Sequence, residues 1–147
     1  MRPQHFGIGI ERGKTPANYG TLWRSAINFG ANYIFTVGCR YPKQASDTVN
    51  AWKKVPAFEY EDTKDFLNHR PFDVPLIGIE LTDNAMPLSK FYHPAHAIYI
   101  LGPEDGNLSK QVQVACQSIL KIDTTFCLNV AVAGAIVMYD RQMKGAQ

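Results

Sequence analysis

Short apolar runs of strand length alternate along this chain with segments of helix length, and over 147 residues that alternation leaves few folds open. Runs at 6–10, 33–37, 76–81, 97–101 and 119–122, with β-branched or aromatic residues between turn signals, read as strands. Helical segments are expected at 17–29, where Leu22, Ala26 and Ile27 share one side, and at 63–69, which Arg70-Pro71 ends. Two more are expected at 108–116 and 128–143, whereas 38–50 is polar and turn-rich, a surface loop with room for a helical turn. Strands alternating with helices predict an α/β domain around a mostly parallel sheet flanked by helices. The length suits a single domain over 1–147 with a sizeable core.

The closing segment constrains assembly as well. From Leu128 to Met138 it is apolar nearly all the way round, and such a helix must be buried on more than one side. In so small a domain a partner subunit is the natural cover, so a homodimer is expected. No apolar run approaches the roughly 20 residues that cross a bilayer. The first five residues lack a signal-peptide pattern, which makes the cytoplasm the expected location. Cys39, Cys116 and Cys127 are scattered, with no CxxC pair or His/Cys cluster, so neither a disulfide framework nor a metal site is expected. A net charge of +2 neither demands nor excludes a nucleic-acid partner.

Three segments could carry chemistry, though each alone is compatible with a structural role. Asn18-Tyr19-Gly20-Thr21-Leu22-Trp23-Arg24 lies at a strand-to-helix turn, where α/β sheets present ligand-binding groups. Asn18 is suited to cap the helix, and it shares a cleft with Arg24 only if it sits in the entry loop. Leu101-Gly102-Pro103-Glu104-Asp105-Gly106 takes a buried strand straight into a tight turn, and Glu104 could bind a ligand donor or simply order the loop. Ile122 to Asn129 ends a strand and opens the apolar helix, with Asn129 as its cap and Cys127 as a small thiol with no evident base. Neither a GxxxxGK[ST] loop nor a GxGxxG fingerprint occurs, which disfavours phosphate-loop nucleotide binding and a nicotinamide oxidoreductase.

In order and separation, these segments resemble the three motifs of the SpoU/TrmH branch of the SPOUT RNA methyltransferases. Asn18-x-Gly20-x-x-x-Arg24-x-Ala26 resembles the first, Leu101-Gly102-x-Glu104-x-Gly106-x-Leu108-Ser109 the second. Ile122 followed by Leu128-Asn129-Val130-Ala131-Val132-Ala133 resembles the third. The resemblance implies a C-terminal trefoil knot, an exception to the rule against knotted chains, and a homodimer with its sites at the interface. It also implies S-adenosylmethionine as cofactor, with Gly102, Ile122 and Leu128 lining its pocket. The strand end Ile79-Glu80-Leu81 would be a further knot loop near the adenine, and Cys127 counts with Ile79 and Leu81 among the cofactor-binding residues. Arg24 matches the arginine that activates a ribose 2′-hydroxyl, and Asn18, Glu104 and Asn129 match the supporting polar residues.

The partner implied is RNA, tRNA ahead of rRNA, with no part for DNA or a membrane. Arg12, Lys14, Arg40, Lys43, Lys53 and Lys54 are candidates for phosphate contact, and Tyr41 or Trp52 for stacking on an unpaired base. Two alternatives stay open. One is a base methyltransferase; the other is a non-catalytic knotted dimer, to which Asp123 and Cys127, in place of the family's usual proline and serine, would point.

Overall fold

Seven parallel strands form one sheet in the order β3-β2-β1-β6-β4-β7-β5; the structure, a computed structural model, describes residues 4–40 and 44–147. The strands are His5–Glu11 (β1), Tyr33–Val37 (β2), Ala57–Tyr60 (β3), Leu76–Ile79 (β4), Met86–Pro87 (β5), His96–Leu101 (β6) and Ser118–Lys121 (β7). The helices are Pro16–Asn28 (α1), Thr63–His69 (α2), Lys110–Ala115 (α3) and Val130–Lys144 (α4). Helices cover both faces, which is why the central strands are apolar on both sides instead of alternating.

On one face, Ile8, Ile10, Tyr99 and Leu101 pack with Leu22 and Trp23 of α1 and Val137 and Met138 of α4. On the other, Phe35, Ile98 and Ile100 pack with Phe66 of α2 and Val112 of α3. The two helices of the first face approach closely at Gly134, where a Cβ would overlap the Leu22 side chain.

Four expectations need correction. The helix expected from residue 17 begins at Pro16, with Thr15 at the N-cap, so Asn18 lies inside α1 and does not cap it. Proline fits the first helical position because its missing N–H would be unpaired there anyway. The strand expected through Leu81 stops at Ile79, because the chain turns once Thr82 N–H donates to Glu80 O at 3.1 Å. Strands β3 and β5 were not expected: β3 is an exposed edge strand and β5 has only two residues. Finally, the closing helix expected from Leu128 begins at Val130; within this one chain α4 is buried along one side, and Val132, Ile136, Tyr139 and Met143 are exposed.

A buried polar network docks the end of α4. The Arg141 guanidinium, 4% exposed, donates to Pro94 O and Ala95 O at 2.7 Å each and to Tyr99 Oη at 3.0 Å. It also lies over the Phe6 ring, 4.9 Å from its centroid. His93 is held between Tyr99 Oη at 2.6 Å and Asp140 Oδ2 at 2.8 Å. Burial lowers the His93 pKa, only partly offset by Asp140. The neutral ring then donates from Nε2 to the carboxylate and accepts the tyrosine hydroxyl at Nδ1.

Candidate active site

In open parallel sheets ligands bind beyond the carboxyl ends of the strands, where the order of strands reverses. Here a cleft of about 660 Å³, counting space open at its mouth, lies beyond β4, β6 and β7. Ile79, Leu81, Gly102, Ile122, Cys127 and Leu128 all line it, as does Glu104. The sequence separates these residues by up to 49 positions, and the strand order brings them together.

The loop after β6 owes its path to Gly102. A Cβ there would stand 2.9 Å from Leu108 N and 3.3 Å from Asn107 C, so any side chain would push the loop's return limb outward. That limb is fixed by two carboxylates, Glu11 buried and Glu80 half-buried. Leu108 N–H donates to Glu80 Oε1 at 2.9 Å and Ser109 N–H to Glu11 Oε1 at 2.7 Å. Glu11, fully buried, also accepts the Ser109 hydroxyl at 2.6 Å and the Thr63 hydroxyl at its other oxygen. Ser109 caps α3 in turn. Burial raises the Glu80 carboxyl above its ordinary pKa; the Leu108 N–H opposes this and the Glu11 charge adds to it. Glu80 Oε2 is buried with no hydrogen-bond partner. Neither acid carries a motif signature, and sequence reasoning gave neither side chain a role.

At the mouth, the three motifs are joined by hydrogen bonds. Asn18 Nδ2 donates to Glu104 Oε1 at 3.2 Å, and Asn129 Nδ2 donates to Asn18 Oδ1 at 3.0 Å. Asn129 Oδ1 meanwhile caps α4, accepting from Ala131 N at 2.9 Å and Val132 N at 3.3 Å. Glu104 also accepts from Lys14 N at 3.0 Å and Thr15 N at 3.3 Å. Burial alone would raise the Glu104 carboxyl, but these donors outweigh it and hold it below its ordinary value, so it is an anion at neutral pH.

Arg24 stands apart from this chain of contacts. Six residues after Asn18 on the same helix, it points about 120° away around the axis. Its side chain is exposed and makes no hydrogen bond among the described residues. The condition for Asn18 and Arg24 to share a cleft within one subunit, Asn18 in the entry loop, is not met.

The basic residues divide similarly. Arg12 Nη2 donates to Asn107 O at 3.1 Å and Lys14 pairs with Asp105 at 2.9 Å, which puts both at the rim of the cleft. Lys54 is turned onto Val49 O at 2.6 Å. Lys53 lies over the half-buried Trp52 ring, which is thus partly covered by its own neighbour. Arg40 is exposed, and Lys43 and Tyr41 lie outside the described residues. Phe126, 81% exposed beside Cys127, was not singled out from sequence. No group of three or more potential metal ligands occurs among the described residues.

The chain matches the SpoU methyltransferase AviRb from Streptomyces viridochromogenes in complex with the cofactor AdoMet. The TM-score is 0.81 at 21% identity, covering 97% of this chain and 62% of that one. It matches the A. aeolicus TrmH/SpoU tRNA modifying enzyme with a TM-score of 0.84 at 16% identity, over 97% and 76% of the two chains. A structure described by the 2-OH methylation of C/U34 on tRNA gives 0.80 at 21% identity, over 98% and 99%. Against AviRb and an rRNA methyltransferase from Sinorhizobium meliloti, the chain spans 62% and 60% of their length. No curated protein sequence gives a significant match. The sequence profile of the SpoU rRNA Methylase family matches residues 6–139; the chain belongs to that family.

Proposed function

We propose that the cleft binds S-adenosylmethionine and that the protein methylates RNA, at a ribose 2′-hydroxyl of a tRNA. The observation that carries this reading is the Glu104–Asn18–Asn129 chain of hydrogen bonds, which places one polar residue from each motif at a single mouth. A helix cap and a turn acid acting separately would have no reason to meet there.

The residues present suit the cofactor. Leu81, Ile122 and Leu128 offer apolar walls, Gly102 leaves the space a Cβ would fill, and Glu80 Oε2 is an acceptor awaiting a donor. When bound, S-adenosylmethionine supplies an electrophilic methyl group. The protein's own task is to hold the acceptor hydroxyl in line with it. Asn18 and Asn129, locked by their mutual hydrogen bond, orient the target nucleotide at the mouth. Arg24 polarises the 2′-hydroxyl and anchors a phosphate; a guanidinium does not take the proton itself.

Arg24 reaches a cleft only if a second subunit presents it. The exposed stripe Val132, Ile136, Tyr139 and Met143 on α4 repeats at helical spacing beside α1 and supports a homodimer with composite sites. A strictly monomeric species by light scattering at micromolar concentration would contradict it. Arg12, Lys14 and Phe126 at the rim are the groups for the RNA strand, by phosphate contact and stacking. The tRNA preference draws on the likeness to the tRNA-directed structure of matching length. Insertion of β6 and β7 between strands laid down earlier suits the knotted passage expected of the family. No helix among the described residues is long and apolar enough to cross a membrane.

Tritium transfer from labelled cofactor onto total tRNA and rRNA, with nucleoside mass spectrometry of the product, tests the reading. Incorporation as a 2′-O-methylnucleoside in tRNA is expected. Arg24→Ala should abolish it while cofactor affinity persists. Label on a base, or turnover retained by the variant, would refute the assignment.

A further inference from the structure

Glu80 belongs to none of the three motifs, yet it alone among the cleft's side chains carries a buried oxygen without a partner. Its two oxygens differ in circumstance. Oε1 accepts Leu108 N–H at 2.9 Å and so fixes the loop that follows Gly102. Oε2 has no hydrogen-bond partner although its residue lines the cleft. Burying a carboxylate oxygen without a donor is costly, and such atoms call for an explanation. Anchoring the loop requires one oxygen only, and a neutral amide would serve it equally well.

We infer that Glu80 is a ligand-binding residue whose Oε2 accepts a hydrogen bond from the nucleoside part of the cofactor, a ribose hydroxyl or the exocyclic amine. This rests on the reading of the cleft as a S-adenosylmethionine site. The choice of the nucleoside follows from the surroundings. Glu80 is flanked along the wall by Ile79 and Leu81, apolar neighbours suited to a purine and its sugar.

The same geometry gives a variant that separates the two duties of the side chain. In Glu80→Gln, Leu108 N–H still needs an acceptor, so the amide oxygen must face it. The amide NH2 then takes the place of Oε2 and offers a donor where the inferred bond needs an acceptor. Isothermal titration of purified protein with S-adenosylmethionine should therefore show affinity lowered tenfold or more in Glu80→Gln, with the melting temperature of the free protein unchanged. S-adenosylhomocysteine, which shares the nucleoside and lacks the sulfonium charge, should lose affinity by the same factor.

Unchanged affinity in Glu80→Gln, with a loss only in Glu80→Ala, would reduce Glu80 to a loop anchor and overturn the inference. A loss confined to S-adenosylmethionine would do so too, by assigning the effect to the sulfonium charge. Wild-type protein that binds neither compound would instead overturn the cofactor reading, and this inference with it.

Discussion

Asn129 performs two tasks through two different atoms, and substitutions can separate them. Its Oδ1 caps α4 by accepting from Ala131 N and Val132 N, while its Nδ2 donates to Asn18 Oδ1. Asn129→Ala removes both. Loss of an N-cap costs about 1 kcal/mol, and the Asn129–Asn18 bond, at an exposed residue, adds no more than about another 0.5–1 kcal/mol. For a domain of this size 1 kcal/mol moves the melting temperature by about 2–4 °C, so Asn129→Ala should melt roughly 3–8 °C low. Asn129→Asp keeps the cap and places an anion at the positive end of the helix, which stabilises by about 0.3–1 kcal/mol. It cannot donate to Asn18, however, and rotating the Asn18 amide to compensate would set its oxygen against Glu104. Calorimetric melting and single-turnover methyl transfer, measured together, should show Asn129→Asp at least as stable as wild type yet at least tenfold slower. An aspartate variant with wild-type turnover would show that the hydrogen-bonded chain holds the fold and has no part in the chemistry.

Two further outcomes follow from the packing. Gly102→Val drives a branched side chain into the backbone at Leu108, 2.9 Å from where its Cβ would stand, so S-adenosylmethionine affinity by titration should fall at least tenfold; unchanged affinity would undo the pocket assignment. Stability should also depend on pH through His93. Its pKa is lowered in the folded state, so unfolding takes up a proton at mildly acidic pH. Folding free energy is therefore level above about pH 6.5 and falls as pH drops below it, until the lowered folded value is passed. Urea midpoints at pH 8 and pH 5.5 measure this directly, and a His93→Gln variant should lose most of the difference.

The sequence made the parallel sheet legible because its central strands are buried on both faces, so their apolar runs stand out from the helices between them. It hid β3 for the opposite reason: Ala57–Tyr60 is an exposed edge whose residues show no sustained pattern. All six residues expected at the cofactor line one cleft; four of them fall within the motif segments, and Ile79 and Leu81 came from the strand end outside them. The roles of Glu11 and Glu80 stayed invisible because a single acid at the end of a strand looks like any surface carboxylate until the loop that covers it is in place. Asn18 and Arg24 could share a cleft only with Asn18 in the entry loop, but Pro16 starts the helix early enough to place both in α1 and turn them apart.

The order of strands in space has a consequence for how the chain reaches this state. β1, β2 and β3 are neighbours in both sequence and sheet, so they can pair as soon as they are made. β4 cannot: its two neighbours, β6 and β7, come later in the chain. During synthesis its Leu-Ile-Gly-Ile run has both hydrogen-bonding edges open, a template for unwanted pairing. Nearly every wall of the cleft also lies beyond that strand, so no ligand can reward an early intermediate. Folding should be slow for a chain of this length, and the hazard of aggregation falls in the interval between the exit of β4 and the arrival of β7.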